Sequence, residues 1–379
     1  MNNDLAPSHQ RLFGPYWLLW YSKSNNYSIV GSEFKTLLDY YFQSDSLDAY
    51  KATLLKLDST SDPSLIAHNL NTYLQNCNVV KTLPEEFCPK FKASHRNITK
   101  QYRINGKGIQ IHFDTDLVQK TIHPALAHME VSAETENAQV VFDVYIDTDR
   151  LCLFKNAQLI TSVPKRDYHL LQGKFVMQLL TTIYDNEESD WVGTFHGSTI
   201  SDGSNSILFI GKSGKGKSTL CALLAANGFE LLADDVSPML SENRHIYHNP
   251  SAISIKAGAF STLQTLITDF DSLPTTLFNT TKGPLKYIPC PTPARSHYPC
   301  KAIIMVNYKA EAATRLEPIS IKEILETMIP DSWLSPNPEH AAQFLDWLSA
   351  TQLFQLTYSD TDSVLATVST IFNTFKADQ

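Results

Sequence analysis

The stretch ILFIGKSGKGKSTLCALLAANGFELLADD, residues 207–235, decides the fold of the central part of this chain. It reads as a short apolar strand, a glycine-rich loop, a helix closed by Asn227-Gly228, and a second apolar strand that runs into two aspartates. Further strands and helices alternate on the C-terminal side of this stretch. Alternation of this kind favours an α/β layered core.

Residues 211–218, called the glycine loop below, match the phosphate-binding pattern G-x-x-x-x-G-K-[ST] throughout. Glycines let the backbone turn tightly, so that successive amides point at phosphate oxygens, and the helix that follows adds the positive end of its dipole. We therefore expect the loop to bind a nucleoside triphosphate, taken as ATP, with Lys217 on the phosphates and Ser218 on Mg²⁺. The predicted nucleotide-binding residues are Gly211, Lys212, Ser213, Gly214, Lys215, Gly216, Lys217, Ser218 and Thr219.

The paired aspartates Asp234 and Asp235 come directly after the strand that follows the predicted loop helix. In an α/β sheet this end of a strand lies in the crevice where ligands bind. One carboxylate can hold magnesium while its neighbour faces the phosphate acceptor as a general base. A simple turn cap would also use two aspartates, and that alternative stays open.

Composition limits the classes of protein to which the chain can belong. It has 379 residues, a formal net charge of −8 and a hydrophobic share of 43%. The acidic balance argues against a nucleic-acid binder, which neutralises phosphates with Lys and Arg. No stretch approaches the roughly 20 apolar residues of a membrane span, the N-terminus lacks a secretory pattern, and the six cysteines form no C-x-x-C pair. We expect a cytoplasmic protein without a nucleic-acid or membrane partner.

The patterns divide the chain into four segments. Residues 1–80 hold two β-rich runs, 16–22 and 27–31, followed by three short helices. Ser32 is expected to cap the first of these helices, and the others are expected over 46–57 and 64–74. Residues 81–97 contain the proline-rich run TLPEEFCP and are interpreted as a linker.

The remaining two segments are 98–190, which is mostly strands, and 191–379, which alternates strand and helix. In the first, a hairpin is predicted over 102–113 around Asn105-Gly106, the strongest short hairpin signal. Further predicted elements of both segments are strands over 140–145, 151–154, 159–163 and 302–308, and helices over 168–184 and 320–329.

Three motifs in order resemble the catalytic domain of HPr kinase/phosphorylase: His196-Gly197, the glycine loop with its flanking strand and helix, and the run NGFELLADD over 227–235. The chain is more similar still to the HPr-kinase-like proteins associated with modified peptides such as lasso peptides, and this resemblance implies a strand over 252–256. The resemblance implies a P-loop kinase core, preceded by a β-rich part of the same kinase body. It also implies transfer of the γ-phosphoryl group of ATP to a serine hydroxyl.

By motif, the resemblance assigns a role to each site residue. Lys217 and Ser218 would hold phosphate and metal, Asp234 would be the magnesium carboxylate, Asp235 the catalytic base, and His196 a partner of the acidic pair. The chain departs from the true HPr enzymes in lacking an acidic residue between 243 and 268, which argues against phosphorolysis, and in ending its loop Lys-Ser-Thr. Both departures indicate a substrate other than HPr.

Phosphoryl transfer also needs positive charge around the equatorial oxygens of the transferred group. Lys256, on a neighbouring predicted strand, and Arg295 or Lys286 are the candidates for this phosphate clamp. Isolated Lys and Arg residues are usually solvated surface groups, so the alternative for each candidate is a surface residue without a role in the site.

The first 80 residues resemble a PqqD-type domain, a small winged-helix-like α+β fold that recognises leader peptides by strand addition. The resemblance implies that a precursor peptide or protein substrate is recruited there. A purely structural or dimerising domain is the alternative, and homo-oligomerisation is left open because no residue carries over the ring assembly of the HPr enzymes. Two other functions also stay open, a nucleotide-switched regulatory ATPase and a kinase for a small metabolite.

Overall fold

A computed structural model describes residues 3–60, 62–80, 89–132, 138–277 and 283–377. The architecture is mixed α/β, with several sheets and helices of many lengths. No helix within these ranges is both long and apolar enough to cross a bilayer. Part of the predicted linker, residues 81–88, lies outside the described residues.

The N-terminal unit, residues 9–77, is an antiparallel three-stranded sheet followed by three helices. The strands expected over 16–22 and 27–31 are confirmed, and one further strand precedes them. Ser46 and Asp62 cap the second and third helices by accepting backbone amides. The elements are β1 (His9–Phe13), β2 (Tyr16–Tyr21), β3 (Asn26–Gly31), α1 (Ser32–Gln43), α2 (Leu47–Leu57) and α3 (Pro63–Cys77).

The expected cap at Ser32 is wrong. Gly31 occupies the N-cap position of α1 and offers no side chain, while Ser32 is the first helical residue. The Ser32 hydroxyl instead donates to the carbonyl of Pro15 at 3.1 Å. It therefore joins the start of α1 to the turn between β1 and β2.

The second region is a six-stranded sheet covered by one long helix. The predicted hairpin is confirmed, and its turn residues Asn105 and Gly106 have φ values of 48° and 76°, as a tight hairpin turn requires. The elements are β4 (Ile98–Ile104), β5 (Lys107–Phe113), α4 (Asp116–Gln119), α5 (His123–Leu126), β6 (Glu130–Val131), β7 (Val140–Asp147), β8 (Arg150–Lys155), β9 (Gln158–Pro164) and α6 (Tyr168–Tyr184).

The third region begins where the second ends and contains the predicted glycine loop between its third strand and its first helix. The elements are β10 (Trp191–His196), β11 (Ser198–Ser201), β12 (Ser206–Ile210), α7 (Lys217–Ala226), β13 (Glu230–Ala233), β14 (Val236–Leu240), β15 (His245–Tyr247), β16 (Ile253–Lys256), α8 (Phe260–Leu263), β17 (Thr276–Leu277), β18 (Pro284–Ile288), β19 (His297–Tyr308), β20 (Arg315–Pro318), α9 (Ile321–Met328), β21 (Trp333–Leu334), α10 (Pro338–Ala350), β22 (Gln352–Tyr358) and α11 (Thr361–Ala377).

A ten-stranded mixed sheet forms the centre of this region, with β13, β11, β12 and β19 in that spatial order. Strands β12, β19 and β22 run parallel to one another, and the other pairs are antiparallel. Side chains alternate along β12, so that Ile207 and Phe209 pack with α7 and α11 while Leu208 and Ile210 pack with α9 and α10. The sheet is thus buried on both faces, as a layered α/β core requires.

Helix α10 also carries the N-terminal unit. Leu18 of β2 is buried in the same apolar cluster as Phe344 and Trp347 of α10, and the rings of Tyr27 and Phe344 meet edge to face at 5.3 Å. Polar contacts surround this patch: Arg11 pairs with Asp346, His9 contacts the carbonyl of Pro338, and Asn25 donates to the carbonyl of Leu334. The division of the chain into separate domains stays a prediction.

Candidate functional site

The glycine loop connects the C-terminal end of β12 to the first residue of α7, as expected. Gly211 and Gly216 have φ values of 148° and 93°, which L side chains rarely adopt. A Cβ at Gly216 would lie 3.0 Å from the hydroxyl of Tyr358, and one at Gly211 would lie 3.0 Å from the carbonyl oxygen of Val306. These two positions require glycine both for their dihedral angles and for space.

The loop presents donors and positive charge on one side. The amide of Leu220 donates to the carbonyl of Gly216, and an α-helix has no internal acceptor for the three amides before it. Lys217 is buried, and its ammonium group donates to the carbonyl of Gly211 at 2.7 Å. Lys212 and Lys215 are exposed around it. The arrangement suits an anion, because the unpaired amides at a helix N-terminus lie in a loop that carries three lysines.

Asp234 lies next to the loop and is almost completely buried, at 4% exposure. One carboxylate oxygen accepts the hydroxyls of Ser198 at 2.6 Å and Ser218 at 2.9 Å, and the other accepts the amide of Ser254 at 3.1 Å. This carboxylate therefore joins β11, the loop helix α7 and β16. The predicted metal pair, Ser218 and Asp234, is in direct contact.

The pKa of Asp234 is raised from its usual value near 3.8 to about 6. Burial is the main cause, the charge of Asp235 adds to it, and the hydrogen bonds from Ser198, Ser254 and Ser218 offset part of the shift. No Lys, Arg or His forms an ion pair with Asp234 in the described part of the chain. A buried carboxylate bound only by neutral donors has a strong electrostatic reason to take a cation.

Magnesium fits these residues. It usually keeps several waters and takes one or two protein oxygens together with phosphate oxygens, so it does not need a complete protein cage. Ser218 and Asp234 supply a hydroxyl and a carboxylate at the start of the loop helix. Within the described ranges no group of three or more His, Cys, Asp or Glu residues has metal-binding geometry.

Asp235 is exposed and has a φ of 66°, so the backbone turns sharply between β13 and β14 at this residue. Its carbonyl accepts the amide of Gly197 at 3.3 Å. His196 ends β10 opposite Val236, and its amide donates to the hydroxyl of Ser332 at 2.9 Å. The structure thus places His196 on the strand beside the acids, but its imidazole makes no hydrogen bond or ion pair with either carboxylate among the described residues.

The lysine and arginine candidates for a phosphate clamp lie in different parts of the structure. Lys256, at the end of β16, extends over the glycine loop and donates to the hydroxyl of Ser213 at 2.9 Å. Lys286 is buried, and its ammonium group donates to three carbonyls between residues 270 and 273. These contacts hold its ammonium group at that loop, and a part for Lys286 in a phosphate clamp stays a prediction.

The neighbours of Arg295 along the chain indicate its position, and its part in the phosphate clamp stays a prediction. The amide of the preceding residue, Ala294, donates to Glu230 at 3.0 Å, and the hydroxyl of Tyr298 donates to the same carboxylate at 2.7 Å. Glu230 begins β13, whereas Asp234 follows its last residue. Arg295 therefore lies near the end of this strand that is remote from the glycine loop.

Two contributors to the site were missed in the sequence. Ser198 directly follows the His196-Gly197 motif, but no pattern in the sequence marks its hydroxyl as a partner of Asp234. Ser254 contributes its backbone amide, which leaves no trace in the type of side chain. Thr219 lies in the first turn of α7, as predicted for the end of the nucleotide-binding segment.

Comparison of the sequence with known protein families gives no match, and neither does comparison with curated proteins. Among solved structures, the chain is similar to the Hpr(Ser) kinase/phosphatase from Coxiella burnetii. The two share 14% sequence identity with a TM-score of 0.21, and the alignment covers 49% of this chain and 97% of that one. At this score the likeness carries nothing further, and the chemistry of the site rests on its own residues.

Proposed function

We propose that this chain is an ATP-dependent kinase that transfers the γ-phosphoryl group to a serine hydroxyl of a peptide or protein, with Mg²⁺ as cofactor. One observation carries the proposal: the hydroxyl of Ser218 and the carboxylate of Asp234 meet at 2.9 Å at the first turn of the helix that follows the glycine loop. A hydroxyl and a carboxylate in this position are the usual protein ligands of a nucleotide-bound magnesium ion.

The residues of the loop would bind and orient the triphosphate. The amides at the start of α7 and the ammonium group of Lys217, which donates to the carbonyl of Gly211, would bind the phosphate oxygens. Lys256, which contacts Ser213 of the loop, would add a second positive charge. Bound magnesium would neutralise charge on the β- and γ-phosphates. Since phosphoryl transfer depends mostly on positioning and charge, these few groups supply most of what the reaction needs.

Asp235 is the proposed general base. It is exposed, and it directly follows the buried Asp234, so a serine hydroxyl could approach it without entering the core. Asp235 would take the proton of the hydroxyl as its oxygen attacks the γ-phosphorus and ADP leaves. A base of this kind typically contributes about 100- to 10,000-fold to the rate.

The N-terminal unit is the proposed recognition site for the substrate, which we propose to be a ribosomal precursor peptide. Strand β3 pairs with β2 alone within the described residues, so its other edge can accept an added strand. Backbone pairing of this kind recognises an extended peptide and would leave its serine free to reach the loop.

The test is transfer of labelled phosphate from Mg-ATP to candidate leader-bearing peptides by the full chain and by its Asp235→Asn variant. We expect the wild type to label a serine and the variant to bind Mg-ATP normally while losing transfer by at least about 100-fold. Normal transfer by the variant would remove Asp235 from the mechanism. Slow ATP hydrolysis without transfer to any peptide would favour a nucleotide-switched ATPase, and transfer only to small molecules would favour a metabolite kinase.

A further inference from the structure

An exposed tyrosine stands beside the glycine loop. Among the residues that the structure describes, Tyr308 is the only Phe, Tyr or Trp that is strongly exposed, with 48% of its surface accessible. It ends β19, and its amide donates to the carbonyl of Lys215 at 3.2 Å. A Cβ placed on Gly216 would lie 3.2 Å from the Cβ of Tyr308. The tyrosine therefore forms part of the wall of the loop.

The ring of Tyr308 packs against a buried tyrosine on the neighbouring strand. Tyr358 ends the neighbouring strand β22, is buried, and is the register partner of Tyr308. The two rings meet edge to face, with centroids 5.5 Å apart and planes at 73°. The hydroxyl of Tyr358 also approaches the carbonyl of Gly216 at 3.5 Å. A ring fixed in this way offers a flat apolar surface at low entropic cost.

The order of the strands places this ring opposite the acids. The sheet runs β13, β11, β12, β19, so Asp234 lies on one side of the loop and Tyr308 on the other. Strand β19 is the direct neighbour of β12, about 4.8 Å away at the usual strand spacing. If the terminal phosphates lie near Asp234 and Ser218, the nucleoside end of the molecule extends toward β19.

We infer, on the premise of the proposed function, that Tyr308 is the platform on which the nucleobase of the bound nucleotide stacks. The contact is face-to-face stacking of the phenol ring on the purine. Every base can stack in this way because every base has a π-face. Stacking of this kind does not read the exocyclic groups of the base. ATP and GTP should therefore lose affinity by similar factors when the ring is removed.

The experiment is calorimetry of the full chain with two ligands, Mg-ATP and magnesium tripolyphosphate, which lacks both base and ribose. Replacing Tyr308 by Ala should weaken Mg-ATP binding about ten-fold, the effect of losing one base–aromatic contact. It should leave tripolyphosphate affinity unchanged within about two-fold, which also shows that the loop remains intact. Tyr308→Phe, which keeps the ring, should bind both ligands like the wild type.

Each outcome separates this inference from the function on which it rests. Equal binding of Mg-ATP by wild type and Tyr308→Ala, or equal weakening of both ligands, would overturn the role of Tyr308 and leave the kinase proposal standing. Lys217→Ala serves as the reference that should weaken both ligands. A wild-type chain that binds neither ligand would overturn the proposed function and this inference with it.

Discussion

A carboxylate lies at each end of strand β13, and the two carboxylates have different environments. At the start of the strand, Glu230 is half-buried and accepts the hydroxyl of Tyr298 and the backbone amide of Ala294. After its end, Asp234 is buried and accepts two serine hydroxyls and one amide, without a cation among the described residues. Both carboxylates are fully hydrogen-bonded.

The difference lies in burial rather than in hydrogen bonding. Glu230 is half-buried, so water compensates part of its charge, which is the usual condition of a structural acid. Asp234 has only neutral donors, and burial raises its pKa to about 6. The second arrangement costs stability unless a cation arrives, which is why it points to a binding site.

The largest expected effect comes from neutralising each acid in turn. Asp234→Asn should lower serine phosphorylation about 1,000-fold, since a metal ligand is worth several kcal/mol in the transition state. Glu230→Gln should lower it by less than about three-fold, because that end of β13 touches no part of the proposed site. Labelled-phosphate transfer measures both, and equal losses in the two variants would remove the contrast between the two ends.

The second effect is on the pH dependence of stability. The folded state holds the proton of Asp234 to about pH 6 and the unfolded chain only to about 3.8, so its contribution to stability is present at low pH and is lost as pH rises. The loss develops as the pH rises from about 3.8 to about 6. Urea unfolding without magnesium or nucleotide should show this slope in the wild type and in Glu230→Gln, but not in Asp234→Asn. A parallel slope in Asp234→Asn would contradict the raised pKa.

A smaller effect tests whether positive charge matters at the Asp234 end. Lys256→Ala should weaken Mg-ATP binding about ten-fold, because one charge-assisted contact to phosphate is lost. Lys322 lies on α9, where it pairs with Glu326, and Lys322→Ala is the matched control that should bind Mg-ATP normally. Calorimetry distinguishes the two, and unchanged affinity in Lys256→Ala would leave that lysine as a loop contact only.

The smallest effect is expected at the other end of the strand. Arg295→Ala should leave Mg-ATP affinity within about two-fold of the wild type and lower the free energy of unfolding by less than about 1 kcal/mol. A ten-fold loss of nucleotide affinity would instead return Arg295 to the phosphate site. Binding and denaturant unfolding of the same preparation give both numbers.

Much of the local structure could be predicted because its signals are local. The Asn105-Gly106 turn, the helical spacing in the N-terminal unit and the pattern of the glycine loop all lie within short windows of sequence. Strand β1 was missed because its run HQRLF is short, mostly polar and lies at a sheet edge. Strand β19 begins at His297, earlier than the apolar run at 302 indicates, because its first residues pair with β15 and only alternate ones, Tyr298 and Cys300, are buried in the core.

The parts of the site that could not be predicted depend on contacts between distant segments. Strand β12 pairs in parallel with β19, which begins about 90 residues later, and no local pattern specifies that partner. Lys256 and Arg295 were equally plausible in the sequence, because both are isolated cations with no motif around them. Only the pairing of the strands decides that one lies over the loop and the other at the far end of β13.

The attachment of the N-terminal unit to α10 has a practical consequence for work on this chain. Removal of residues 1–80 would expose Phe344 to water, because Tyr27 of β3 packs against its ring and Leu18 of β2 is buried in the same cluster. A loss of activity in a shortened chain could then come from aggregation as well as from lost recruitment of the substrate. The same attachment fixes the orientation of the N-terminal unit. If a leader peptide binds there, as proposed, its distance from the glycine loop would be constant. Substrates would then share a constant number of residues between the leader and the acceptor serine.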